Sequence, residues 1–333
     1  MQAINQLGTN LSTRFVKSGL IAFLTITSLT YQSAFAQAWP NRTIKIVVPF
    51  GPGGANDLVA RAAAEGMSKE LGQSVVIENK PGAGATLGAD FVAKAAPDGY
   101  TFLVAAAGLV TNSLIKSKMP YKDSDLTPIG MIAVSPSVIV VAADSPIKNL
   151  KDLFEASKKG QGLNFSTAGT GSTPHFIAEM LKISGGGKFD IIPYKSGSEG
   201  MVAVVGHQTD ATSEASVVVI PQILGNKLRP IASTWNTRIS ALKDVPTAKE
   251  LGYPNIFIGH WAGLLAPAGT PVEVLDKMND ALNKALKRPE IKDRLIAQGI
   301  EPIGGNRASF VKFIDEERAR LSAIVKATNM KED

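Results

Sequence analysis

Short apolar runs rich in Val and Ile alternate with helix-like stretches along nearly the whole chain, and this alternation restricts the fold more than any other feature. "TIKIVVPF", "QSVVIEN", "TFLVAAA" and "SVIVVAA" read as strands, with "DLVARAAAEGMSKEL" and "ATLGADFVAKAA" as helices among them. The order continues through "LNFST", "PHFIAEMLKI", "FDIIPY", "GMVAVVG", "QTDAT", "SVVVIPQILG" and "LRPIAST". Strands this uniformly apolar are buried on both faces, which predicts an α/β fold around a parallel sheet. After "PAGTPVEVLDKMNDALNKALKRPEIKDRLIAQG" the pattern reads as purely helical.

The N-terminus has a different character. Arg14 and Lys17 are the only charges before the apolar run "GLIAFLTITSL", Gly19 to Leu29, and "SAFA" follows with Ala34 and Ala36 at small-residue positions. That is the pattern of a secretory signal over residues 1–36, too short in its apolar part to span a bilayer comfortably. It predicts export to the periplasm. The remaining chain is long for one core, so two lobes are expected. The chain has no cysteine, which rules out disulfides, thiolate metal sites and cysteine catalysis. Its formal charge is +6, but the basic residues are scattered. Nucleic-acid binding requires a clustered stripe, so nucleic acid is not an expected partner.

Three segments share one design: "IKIVVPF" runs into "GPGGAND", "SVVIENK" into "PGAGATLGAD", and "LNFSTA" into "GTGSTPH". Each is a strand, a glycine loop and a helix start. First-turn N–H groups have no intrahelical acceptor, and with the helix dipole they attract an anion without a basic side chain. Glycine lets the backbone approach such a ligand closely. A dinucleotide fingerprint fails on spacing, because Pro174 stands where "GTGSTP" would need its third glycine, although Asp190 lies where a ribose-binding acid belongs. His175 and Glu179 are four residues apart, but His207 and His260 are remote, so no metal spacing exists and no cofactor is expected. No G-x-S-x-G occurs, leaving Ser172 with His175 as the one hydrolase alternative. Asp57 either orients the first loop or serves as a first-turn helix charge, and Trp261 reads as core or hinge packing.

Taken together, "VPFGPGGANDLVAR", "VVIENKPGAGATLGADFVAKAAPDGYTFL", "AGTGSTPHFIAE", "IPYKSGS", "LRPIAST", "DVPTAKELGYP" and "WAGLLAPAGTP" make the chain resemble the Bug family, the substrate-binding proteins of tripartite tricarboxylate transporters. These segments occur in family order. The resemblance implies a non-enzymatic, monomeric, two-lobed type II periplasmic-binding fold with a central cleft. Its first lobe would be residues 37–138 plus 260–333, and its second residues 139–259. The ligand would be a small aliphatic or aromatic carboxylate, passed to the permease subunits of a tripartite transporter. A role as ligand sensor for a two-component system, or an exported hydrolase of the same shape, is the alternative.

The binding residues implied are Phe50, Gly51, Gly54 and Asn56 from the first loop, and Ala83, Gly84, Ala85 and Thr86 from the second. Ala107 would leave room for the ligand body. Thr167, Ala168, Thr170, Gly171, Ser172, His175 and Ser213 would close from the other lobe. Two places depart from the family pattern: Ala85 with Thr86, and "TSEAS", Thr212 to Ser216. Both lie near the expected ligand and bear on its identity. If Glu214 faces the cleft it repels a second carboxylate and favours an amine or hydroxyl; if it faces solvent it does neither.

Overall fold

A computed structural model describes residues 39–332. The export signal read over residues 1–36 lies outside them. From Arg42 onward the alternation of the sequence becomes a sheet of ten strands. Its main path runs β2 (Val75–Asn79), β1 (Ile44–Val48), β3 (Thr101–Ala105), β9 (Gly259–Pro267), β4 (Leu126–Ala142), β7 (Ala211–Ala215), β5 (Leu163–Thr167), β6 (Phe189–Pro193). β8 (Leu228–Ser233) and β10 (Glu301–Gly304) attach to β4.

The sheet is mixed, which corrects the expectation of a parallel one. β1 pairs in parallel with β2 and β3, and β5 with β6 and β7. At the centre β9 is antiparallel to both β3 and β4, and β4 is antiparallel to β7, β8 and β10. The reason the sequence misleads is physical. A continuously apolar strand reports that both its faces are covered, and says nothing about direction. β10 is a second correction, interrupting the C-terminal region read as purely helical. Its "EPIG" carries a proline and a glycine, poor strand formers, and the antiparallel pairing with β4 at Glu301↔Val134 holds it.

β4 changes partners along its length. Residues up to Pro136 pair with β9, and those from Ser137 pair with β7 and β8. Trp261 of β9 is fully buried, with edge contacts to Phe310 and Phe313 at 6.0 and 5.5 Å, so its packing role holds.

Six strands end where a helix begins. β1 leads to α1 (Ala55–Leu71) and β2 to α2 (Thr86–Ala93) by way of a short helical turn at Ala83–Ala85. β3 leads to α3 (Gly108–Ile115), and β5, after α4 (Leu150–Ser157), leads to α5 (Thr173–Gly185). β6 leads to α6 (Gly197–Val205) and β7 directly to α7 (Ser216–Leu224). The chain closes through α8 (Val272–Lys287), α9 (Pro289–Ala297) and α10 (Arg307–Thr328). α1 lies tightly on α8 because Gly66 has no Cβ; one placed there would sit 2.6 Å from that of Ala285.

Candidate ligand cleft

The loops at the carboxyl ends of these strands enclose a cavity of about 590 Å³, a volume typical of small-molecule sites. Residues from Phe50 to Glu332 line it, and none of the lining residues is Lys or Arg. Polarity comes instead from the starts of helices. Gly54, Ala107, Ser172 and Ala215 occupy the N-cap positions of α1, α3, α5 and α7, and none makes a side-chain cap. All four line the cleft, so the amino-terminal ends of four helices converge there, although the Val217 amide of α7 donates to the Ser135 hydroxyl and the Leu109 and Val110 amides of α3 to the carbonyls of Ala106 and Ala107.

The first loop is held from behind by Asp57. Its buried carboxylate accepts the Gly53 amide at 2.9 Å, the Arg61 Nε at 2.9 Å and the Asn79 Nδ2 at 2.8 Å. Burial alone would raise its pKa, but Arg61, Gly53 and Asn79 outweigh this and hold the group below the ordinary carboxylate range. Asn79 also donates to the Phe50 carbonyl at 3.0 Å. Asp57 therefore orients the loop. Gly54 has φ −76°, which any residue adopts, and the only atom near an added Cβ is the Gly51 carbonyl oxygen at 3.8 Å. A side chain at Gly54 would therefore project into open space of the cleft.

The second loop works differently. Ala83, Gly84 and Ala85 all have positive φ (49°, 64° and 77°), a conformation costly for alanine. Asn112 of α3 donates to the Gly84 carbonyl at 2.7 Å, and Lys116 donates to that of Ala83 at 3.2 Å. Lys116 is itself paired with Glu332 at 3.4 Å.

In the third loop the Ser172 hydroxyl donates to the Gly169 carbonyl at 2.6 Å, and the Gly171 amide donates to Nδ1 of His175 at 3.2 Å. Ser172 and His175 are each bonded to loop backbone, not to one another, so they form no nucleophile–base pair. Nor do the described residues contain any group of three His, Asp or Glu able to hold a metal.

Of the residues expected to bind ligand, Phe50, Gly54, Asn56, Gly84, Ala107, Ala168, Thr170, Gly171 and Ser172 line the cleft. The others are placed as follows. Gly51 is exposed in the first loop, and Ala83 and Ala85 flank Gly84. Thr86 is buried against Asn112, and Thr167 accepts the Gly169 amide at 3.4 Å. His175 supports Gly171, and Ser213 is buried in β7 with no partner for its hydroxyl. Sequence reasoning missed the start of α3, Ser196 to Ser198 at the start of α6, Val218, His260 and Glu332. A buried asparagine inside the short apolar helix α3 was the available signal for Asn112.

Glu214 does face the cleft, although only 8% exposed. Its Oε2 accepts the Ala215 amide at 3.2 Å. Its Oε1 lies over Gly197, where an added Cβ would sit 1.7 Å from it. Burial, opposed only by that one amide, raises its pKa to about 7. Nε2 of His260 is 4.0 Å from Oε2, beyond hydrogen-bond range, and burial drives that imidazole down to about 4. The two side chains are close enough to pair, yet near neutral pH His260 is uncharged and offers Glu214 no counter-ion.

Residues 59–330 match the model of the tripartite tricarboxylate transporter family receptor. The fold superposes on the periplasmic binding protein BugD with a TM-score of 0.78 at 33% identity, covering 89% of this chain and all of that one. Rpa4515 of R. palustris, solved with adipate, gives 0.80 at 30% identity over 88% of this chain and 99% of its own. MatC of Rhodopseudomonas palustris, with bound malate, gives 0.75 at 30% identity over 86% and 100%. These are binding proteins, and among the described residues no helix is long and apolar enough to cross a membrane. With a family model matched over most of its length, the chain belongs to the receptor family of tripartite tricarboxylate transporters.

Proposed function

We propose that the cleft captures a small carboxylate in the periplasm and delivers it to the permease subunits of a tripartite transporter. One observation carries this reading: four helix N-termini without side-chain caps open onto a cavity lined by no lysine or arginine. Such a site holds one carboxylate by amides and dipoles instead of by an ion pair. Titrating adipate, malate and simple monocarboxylates beside their methyl esters tests it. An acid that binds should lose at least ~10-fold on esterification, about 1.4 kcal/mol, and equal affinities for acid and ester would overturn the reading.

The same proposal includes two lobes, residues 37–138 with 260–333 and residues 139–259, hinged about the cleft. The exchange of β4's partners between Pro136 and Ser137 supports that division. Scattering curves with and without saturating ligand should differ in radius of gyration; unchanged curves under proven binding argue against closure.

A further inference from the structure

Glu214 is the one group in the cleft whose charge the protein leaves unanswered. It projects from β7 and is more than nine-tenths buried, yet accepts a single hydrogen bond, from its own neighbour's amide. The elements packed against β7 supply nothing more. On β4 its cross-strand neighbour is Val138, and α7 begins with Ser216 and three valine or isoleucine-type side chains. On α5, Glu179 is already engaged, its carboxylate 3.1 Å from the Lys182 ammonium and 3.8 Å from Nε2 of His175. At the start of α6, Glu199 is exposed and accepts the Lys195 amide at 3.2 Å. Immediately before β7, Asp210 accepts the Asn164 amide at 2.7 Å. Glu332, elsewhere on the cleft wall, has Lys116. His260 alone stands near enough to pair, and burial keeps it neutral.

We propose that Glu214 is a specificity-determining residue, selecting carboxylates that also carry a protonated amine, which supplies the counter-charge the protein withholds. The inference rests on the carboxylate-capture reading above. Helix N-termini take the ligand's carboxylate, and Glu214 takes its ammonium group. An ammonium is preferred to a hydroxyl because a hydrogen bond between two charged groups is the stronger one, and because a buried carboxylate without a cation is costly to ionise. A second carboxylate is excluded unless Glu214 is first protonated.

The sign of the pH dependence follows. Free Glu214 titrates at about 7. A bound ammonium lowers that value, so binding releases a proton, and affinity rises with pH until it passes about 7. A diacid requires the protonated form, so its affinity falls over the same interval.

Calorimetry on the mature protein tests the assignment with three matched sets of probes. These are aminobutanoate, aminopentanoate and aminohexanoate with terminal amines; butanoate, pentanoate and hexanoate; and succinate, glutarate and adipate. At least one amino acid should bind ~10-fold or more tightly than its plain and diacid counterparts, a difference of about 1.4 kcal/mol, and should release a proton on binding. Glu214→Gln, nearly isosteric and checked for an unchanged fold, should erase that preference and admit the diacids that the ionised carboxylate excludes. Diacids or plain acids binding as tightly as the amino forms, or a preference that survives Glu214→Gln, would overturn the assignment and leave carboxylate capture standing. Binding by none of the nine probes would overturn both.

Discussion

Asp57 and Glu214 are both carboxylates buried beside one cleft, at 2% and 8% exposure, and they are treated in opposite ways. Asp57 accepts from a backbone amide, a guanidinium and a side-chain amide, and is held ionised below the usual range. Glu214 accepts from one amide and is pushed up to about 7. The first belongs to a closed network whose product is the shape of the Gly51–Asn56 loop. The second is open on the side that faces ligand. A polar group satisfied within the protein builds the site; one left unsatisfied at its wall marks where the ligand must contribute.

The largest effect should come from filling the loop end of the cleft. Gly54→Val places a side chain where the structure leaves open space, in a backbone conformation that valine tolerates. Binding should fall by ~100-fold or more, equivalent to one or two charge-assisted hydrogen bonds at roughly 1.5–3 kcal/mol each, with the melting temperature unchanged. Gly84→Val should lose both, because Gly84 has φ +64° and a Cβ there meets the Asn112 Oδ1 at 3.3 Å. Calorimetry with parallel thermal melts separates the two, and an unfolded Gly54→Val protein would contradict the geometry.

Proton linkage gives the comparison a sign. Glu214 binds its proton more tightly folded than unfolded, so it costs the free protein stability as pH rises from about 4.5 to about 7, on the order of 3 kcal/mol. Glu214→Gln should therefore raise the melting temperature of the unliganded protein near pH ~8 and have little effect near pH ~4. Asp57 runs the other way: its contribution is present above the ordinary carboxylate value and is lost as pH falls through its lowered one. Asp57→Asn should cost roughly 2 kcal/mol at neutral pH, since Arg61 loses its charge partner and the Gly53 amide a strong acceptor. Denaturation of both variants across pH checks the pair, and parallel curves would dissolve the distinction.

Gly197→Ala probes the open end more gently. The new Cβ would overlap the Glu214 carboxylate, whose Oε1 and Cδ lie 1.7 and 2.2 Å away. The carboxylate is the far end of a flexible side chain, so it should swing aside at small cost in stability. Ligand preference should shift measurably while affinity for a plain carboxylate holds. A variant with unaltered preference would show that the position of Glu214 is not critical.

The loop end was largely legible in the sequence, and the Glu214 end was not. Phe50, Gly54, Gly84, Gly171 and Ser172 lie within short strand–glycine–helix segments, where local spacing carries the information. His260 reaches the cleft from β9, close to Glu214 of β7 only because both strands pair with β4. No local pattern encodes such a meeting. Sheet direction was likewise hidden, since β4 and β9 are mostly apolar and almost wholly buried whichever way they run. Asp57 and Glu214 could each be read two ways in the sequence, and three-dimensional partners alone resolve them.

The smallest expected effect concerns Ser172, the N-cap residue of α5, where serine ordinarily accepts an amide of the first turn. Here no such bond forms, and the hydroxyl turns back to donate to the Gly169 carbonyl at 2.6 Å. That donation spends its only proton, leaving oxygen lone pairs toward the cleft, so Ser172 cannot give a hydrogen bond to a carboxylate without releasing the loop. Its influence on ligand is then through the positions of Gly169 and Gly171, both at positive φ. Ser172→Ala should lower unfolding stability by ~1 kcal/mol, the worth of one hydrogen bond, and weaken binding by a few-fold at most. Denaturation and calorimetry on the same preparation decide it. A loss of binding well beyond the loss of stability would mean that ligand draws the hydroxyl away from Gly169, and that this loop, like Glu214, is completed by what it binds.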